Sequence, residues 1–135
     1  MTKKFKDMKG VIAIATTPFD NENLIDFESV DRLSDYYIKS KVSGVTILGV
    51  MGEAHKLNIE EQKSLIKRYI NNLINSIPVI VGVSNAGLDN LELLSKFSMD
   101  SGASGVMVAG NNGLKNDDQI KSYFNQVVDR TKDIP

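Results

Sequence analysis

The sequence predicts an α/β protein built on a parallel sheet, and three observations carry that prediction. Short runs rich in β-branched residues, Val11–Ala15, Val45–Leu48, Val79–Val83 and Val106–Ala109, alternate with longer amphipathic stretches. Their starts are 34, 34 and 27 residues apart, the spacing of successive right-handed βαβ units. Within the third run, Val79, Ile80 and Val81 are apolar on consecutive positions, as a strand covered on both faces requires.

Each predicted helix carries its own start signal and buried stripe. Asp26 precedes Phe27, Val30, Leu33 and Tyr37 at helical spacing. Asn58 with Glu61 forms a capping-box pattern, followed by Leu65, Ile66, Tyr69, Ile70 and Leu73 on one face. Asp89 and Glu92 repeat that pattern before Leu94 and Phe97. Asn116 precedes Ile120, Phe124 and Val127, and Asp117-Asp118 suits the positive end of that helix dipole. Each helix thus has one apolar and one charged face, as a helix lying on a sheet needs. Glycine punctuates the strands at Gly44, Gly82 and Gly105, and Ile77-Pro78 leads into the third. Ile134-Pro135 closes the chain with the same dipeptide, read as the opening of a fifth strand.

Composition narrows the function classes. With 135 residues, 16 basic and 17 acidic side chains, the chain has the core of one small domain and no electrostatic footprint for nucleic acid or an anionic membrane. Lys3, Lys4, Lys6 and Lys9 read as a solvated basic tip. The absence of cysteine excludes a disulfide framework and thiolate metal sites and fits a reducing, cytoplasmic setting. No segment approaches the ~20 apolar residues of a membrane span, and Met1–Gly10 lacks a signal-peptide apolar region. No linker divides residues 1–135.

The alternation fits either a doubly wound open sheet or part of a (β/α)₈ barrel of roughly 250 residues. Both place ligands at the carboxyl ends of the strands, here the loops Thr16–Asp20, Gly49–Leu57, Ser84–Gly87 and Gly110–Asn116. The second loop is the most informative. Gly49 and Gly52 permit a sharp turn and a close backbone approach, leaving N–H groups of Val50 and Met51 for an anion. The spacing is neither the dinucleotide GxGxxG fingerprint nor a P-loop, and on the residues alone a tight turn needing glycine is the favoured explanation.

Four segments, Gly10–Asp20, Gly44–Glu53, Ile77–Gly82 and Ser101–Val108, resemble in order and spacing the dihydrodipicolinate synthase/N-acetylneuraminate lyase family. The resemblance runs from about Gly10 to Pro135. It implies the first four βα units of a (β/α)₈ TIM barrel, truncated before the fifth strand: residues 1–135 are the N-terminal half of such a domain. It further implies class I aldolase chemistry, in which a lysine forms a Schiff base with a 2-oxo acid such as pyruvate, with no metal or organic cofactor. The lysine and a fifth-strand tyrosine are expected beyond Pro135, so no catalytic residue is assigned here.

The resemblance assigns substrate contact to Thr17, Gly49, Val50, Met51, Gly52 and Glu53. The best-known members read Gly-Thr-Thr-Gly-Glu where this chain reads Gly49-Val50-Met51-Gly52-Glu53. Their first threonine, here Val50, relays a proton, and their second, here Met51, helps hold the carboxylate. Their Thr-Pro-Tyr-Tyr after the fourth strand is here Gly110-Asn111-Asn112-Gly113, whose asparagines suit ordinary turns. A divergent aldolase, lyase or dehydratase is therefore expected, from a homo-oligomeric parent. The resemblance gives Glu53 a bracing role within the loop and places Thr17 at the rim of the site, positioning the loop or the lysine, with Thr16 in the core. His55, the only histidine, reads as a surface or rim residue, and Tyr36 and Tyr37 as half-buried helix residues. The rival reading is a complete, non-catalytic doubly wound domain that binds a small anion at Gly49–Gly52, on the N-terminus of the following helix. Half a barrel is also expected to self-associate through its open strand edges.

Overall fold

The computed structural model describes residues 8–135. The basic-tip lysines Lys3, Lys4 and Lys6 lie outside the described residues, and Lys9 is exposed. The element order is β1 (Ile12–Ile14), α1 (Phe27–Lys39), β2 (Gly44–Ile47), α2 (Ile59–Leu73), β3 (Val79–Gly82), α3 (Leu88–Asp100), β4 (Gly105–Met107) and α4 (Asp117–Thr131). A single 3₁₀ turn, Ala54–Lys56, lies between β2 and α2.

The four strands form one parallel sheet in the order β1-β2-β3-β4. This order overturns the doubly wound reading, in which the strand sequence reverses at a switch point. In register, Ile14 lies beside Thr46, Thr46 beside Ile80 and Ile80 beside Gly105, so these positions share one face. The other face carries Ala15, Val45, Ile47, Val79, Val81 and Val83, which join Leu65, Ile66, Tyr69, Ile70, Leu73, Leu91 and Leu94 in one core. All four helices therefore cover the same side of the sheet, as in successive units of a barrel.

The helix signals are seen, with one correction. Asp26 caps α1 by accepting from the Ser29 N–H at 3.0 Å, and Asn116 caps α4 through the Gln119 N–H at 3.0 Å. Asn58 and Glu61 form the full capping box of α2. Asp89 does not cap α3: the N-cap is Gly87, without a side-chain bond, and Asp89 faces Arg130 of α4 instead. Neighbouring helices are tied by matched charges. Arg68 Nε donates to Asp31 at 2.7 Å, with Asn72 donating to the same carboxylate at 2.8 Å.

Three burial readings also change. Thr16 is exposed and Thr17 buried, the reverse of the expected pair, because Thr17 continues the helix-facing side of β1. Tyr36 points to solvent at 63 % exposure, whereas Tyr37 is buried. In α4, Tyr123 replaces Ile120 in the buried stripe.

The two βαβα halves repeat one device. Tyr69 of α2 donates its hydroxyl to the Thr16 carbonyl after β1, and Tyr123 of α4 donates to the Asn85 carbonyl after β3, both at 3.2 Å. The strand entries match as well. The Pro78 carbonyl accepts the Val45 N–H at 3.0 Å, and the Pro135 carbonyl accepts the Val106 N–H at 2.9 Å. Ile134-Pro135 thus lies on β4 as Ile77-Pro78 lies on β2.

Candidate functional site

The segment Gly49–Glu53 leaves the carboxyl end of β2 as two overlapping turns. The Gly52 N–H donates to the Gly49 carbonyl at 3.0 Å, and the Glu53 N–H to the Val50 carbonyl at 3.1 Å. Neither glycine has positive φ. The left-handed residues flank the turn instead, Leu48 at φ 55° and Glu53 at φ 53°. Glycine is needed here for space. A Cβ on Gly52 would lie 3.1 Å from the Leu48 nitrogen and 3.2 Å from the Ala15 oxygen. The neighbouring strand makes the same allowance. A Cβ on Gly82 would stand 2.2 Å from the Leu48 oxygen, so β3 admits the left-handed exit of β2 only by lacking a side chain there.

Thr17 joins the end of β1 to this turn. Its hydroxyl, on a residue 5 % exposed, donates to the Gly52 carbonyl at 2.6 Å. Val50 and Met51 form the tip, 84 % and 60 % exposed. Among the described residues no acceptor meets the Val50 or Met51 N–H. The sheet face beside the turn is apolar: a Cβ on Gly49 would meet Ile14 at 3.5 Å and Met107 at 3.6 Å.

The charged groups near the turn are solvated. The Lys56 ammonium pairs with Glu53 and holds its carboxyl below the usual range. Glu53 therefore engages the following 3₁₀ turn, and the bond across to β1 comes from Thr17. His55 is exposed on that 3₁₀ turn. Farther along, Gln62 donates to the Ala54 and Leu57 carbonyls, both at 3.0 Å, and secures the loop to α2. Two amides at the start of α2 are already taken, since Asn58 Oδ1 accepts from the Glu60 and Glu61 N–H groups. These two bonds reduce the donors that this helix N-terminus could offer an anion at Gly49–Gly52.

The third and fourth loops are tied to each other. Ser84 Oγ accepts the Ala109 N–H at 2.8 Å, and Asn111 forms a turn by accepting the Gly113 N–H at 2.9 Å. A cleft of about 570 Å³ lies elsewhere, between α3 and α4, lined by Lys96, Asp129 and Arg130 among others. Its walls are outer helix faces of mixed charge, remote in the fold from the strand ends. The turn itself projects past the sheet with no opposing wall among the described residues. Those residues include no group of three metal-binding side chains and no helix long and apolar enough to cross a membrane.

Sequence reasoning missed the fit of Gly82 against Leu48 and the Tyr69 and Tyr123 hydroxyl bonds. Tyr69 stood in a helical apolar pattern, which signals burial and says nothing of where the hydroxyl goes, and Tyr123 lay outside the expected stripe of α4.

Comparison with known proteins agrees with this geometry. The model of the dihydrodipicolinate synthetase family matches residues 7–135. A 4-hydroxy-tetrahydrodipicolinate synthase of Wigglesworthia glossinidia brevipalpis is 29 % identical over 133 residues, 93 % of this chain and 42 % of that protein. The one of Thermotoga petrophila is 35 % identical over 100 residues, 74 % of this chain and 34 % of that protein. Among solved structures, a dihydrodipicolinate synthase from Rhodopseudomonas palustris superposes with a TM-score of 0.88 at 43 % identity, covering 93 % of this chain and 42 % of that one. A prophage protein of the dihydrodipicolinic acid synthase family from E. coli K12, solved in complex with pyruvate, gives 0.83 at 28 % identity, covering 91 % and 42 %. The chain thus spans about two fifths of the length of these relatives, and its four βα units are the first units of their TIM barrel. With one family model matching nearly every residue and the fold agreeing, this chain belongs to the dihydrodipicolinate synthetase family.

Proposed function

We propose that this chain forms the N-terminal half-barrel of a Schiff-base-forming lyase or aldolase that acts on a 2-oxo acid such as pyruvate. The observation that carries the reading is the Gly49–Glu53 turn. It stands at the carboxyl end of β2 beside an apolar sheet face, and its exposed tip residues, Val50 and Met51, have N–H groups without a partner among the described residues. A carboxylate needs such donors, and backbone amides supply them without a side-chain hydroxyl. The solved E. coli relative in complex with pyruvate supports this substrate class.

Thr17, Gly49, Val50, Met51, Gly52 and Glu53 are the proposed substrate-binding set. The amine that attacks the 2-oxo carbon is assigned to a lysine outside residues 1–135. Lys56, on the 3₁₀ turn that follows, is a poor substitute, being a surface group paired with Glu53. Val50 and Met51 stand where better-known members carry threonines, so proton transfer at this turn requires water or groups from elsewhere. This supports a reaction divergent from that of true dihydrodipicolinate synthases. Carbon–carbon cleavage or formation, or dehydration, is the proposed class, in a cytoplasmic homo-oligomer.

Borohydride reduction in the presence of pyruvate tests the proposal. The longest native chain carrying these residues should gain a stable pyruvyl adduct on one lysine beyond position 135. An adduct mapped to a single lysine of residues 1–135, or no adduct at all, would refute it.

A further inference from the structure

We propose that Thr17 is a positioning residue that sets the direction of the Met51 N–H through a short chain of peptide planes. The proposal rests on the reading of Gly49–Glu53 as the carboxylate-binding turn. Its starting point is the buried bond from Thr17 Oγ1 to the Gly52 carbonyl, 2.6 Å long and spanning 35 residues of sequence.

A trans peptide is rigid and planar, with C=O and N–H pointing in opposite directions. The peptide whose oxygen Thr17 holds is also the one that carries the Glu53 N–H. That N–H donates to the Val50 carbonyl at 3.1 Å. The Val50 carbonyl, in turn, shares its plane with the Met51 N–H. Fixing the Gly52 oxygen therefore fixes the Val50 oxygen and points the Met51 N–H the opposite way, away from Glu53. No other side chain among the described residues bonds to the backbone of Gly49–Gly52.

The neighbouring contacts limit how the turn responds if this bond is lost. Gly52 is packed against Leu48 and Ala15, so its position is set by shape. What Thr17 adds is rotation of the peptide, since contacts at the α-carbon do not specify the carbonyl direction. With no hydroxyl at positions 50 and 51, recognition at this turn depends on amide direction, and Thr17 becomes the side chain that controls it.

The experiment compares wild type, Thr17→Val and Thr17→Ser in the longest native chain carrying these residues. It uses amide hydrogen exchange of Glu53 and the pyruvate concentration that half-saturates borohydride trapping. Thr17→Val keeps the shape and removes the donor. It should speed Glu53 exchange and raise the half-saturating pyruvate concentration, each by about tenfold. Thr17→Ser should return both to within about twofold of wild type. Unchanged Glu53 exchange in Thr17→Val overturns the proposal. So does unchanged saturation when wild type forms the adduct. If wild type forms none, the 2-oxo acid reading fails, and Glu53 exchange alone decides whether Thr17 positions the turn. Should Thr17→Val not fold, Thr17→Ala gives the same comparison.

Discussion

Gly82→Ala and Gly49→Ala add the same methyl group to two glycines of one region, with opposite expected outcomes. At Gly82 the new carbon would stand 2.2 Å from the Leu48 oxygen and 2.7 Å from its carbonyl carbon. A tolerable carbon–oxygen contact is about 3.3 Å, so the end of β2 must move by roughly 1 Å. That movement is opposed because Leu48 is buried and already left-handed, and Gly52 is packed against its nitrogen. Overpacking of this kind costs about 1–3 kcal/mol, and a backbone obstacle argues for the upper end, ~3 kcal/mol. For a chain of 135 residues, at about 3–5 °C per kcal/mol, that lowers Tm by roughly 9–15 °C. At Gly49 the methyl meets only the side-chain tips of Ile14 and Met107, at 3.5 and 3.6 Å, which is ordinary contact. Its φ is not positive, and alanine restricts the unfolded chain, so the change should fall between neutral and ~1 kcal/mol stabilising. Thermal melts of both variants in the longest native chain check this. Equal losses at the two positions, or a silent Gly82→Ala, would refute the packing argument.

The capping correction is tested in the same way. Asn58→Ala should cost about 1 kcal/mol through loss of the capping box, whereas Asp89→Ala should stay within about 0.5 kcal/mol in urea titrations, since Asp89 is no cap. Tyr69→Phe should lose about 1 kcal/mol by removing the hydroxyl that reaches the Thr16 carbonyl from a fully buried ring. Acid should destabilise the fold through Asp31, whose carboxyl is held below its usual value of 3.8 by bonds from Arg68 and Asn72. A group depressed in the folded state stabilises above the unfolded pKa, and that stabilisation disappears as pH falls through the folded one. Stability should therefore drop as pH falls below about 4, and Asp31→Asn should flatten that part of the pH profile.

Much of the fold was legible because it depends on burial, and burial leaves periodic marks. The consecutive apolar residues of β3, the stripe of α2 and the caps Asp26, Asn58 and Asn116 all appear where the pattern placed them. What failed was local competition between equivalent signals. Asp89 matched a capping pattern, but the helix starts one turn-corner earlier at Gly87, leaving Asp89 free to face Arg130. Thr16 and Thr17 are chemically alike, and only the phase of β1 decides which is buried. Gly49 and Gly52 read as residues for a sharp turn and a close backbone approach, and glycine also permits left-handed backbone. The chain instead places that conformation at Leu48 and Glu53 and uses Gly52 and Gly82 for clearance. A one-dimensional pattern contains no record of which neighbouring carbonyl comes close.

That distinction bears on the chemistry. A turn in which Gly52 serves clearance has a backbone fixed by its surroundings, through Ala15, Leu48 and Thr17, rather than by its own sequence. The tip residues then carry no structural burden, since the side chains of Val50 and Met51 are exposed. Their identity can change without disturbing the amides between them. On the proposed reading, the threonines of better-known relatives can be replaced at the tip while the backbone amides stay available to a carboxylate, and what is lost is the hydroxyl relay at Val50 and the hydroxyl contact at Met51. Replacing the residues beneath the turn, by contrast, should disturb binding first, because the direction of the amides is set there.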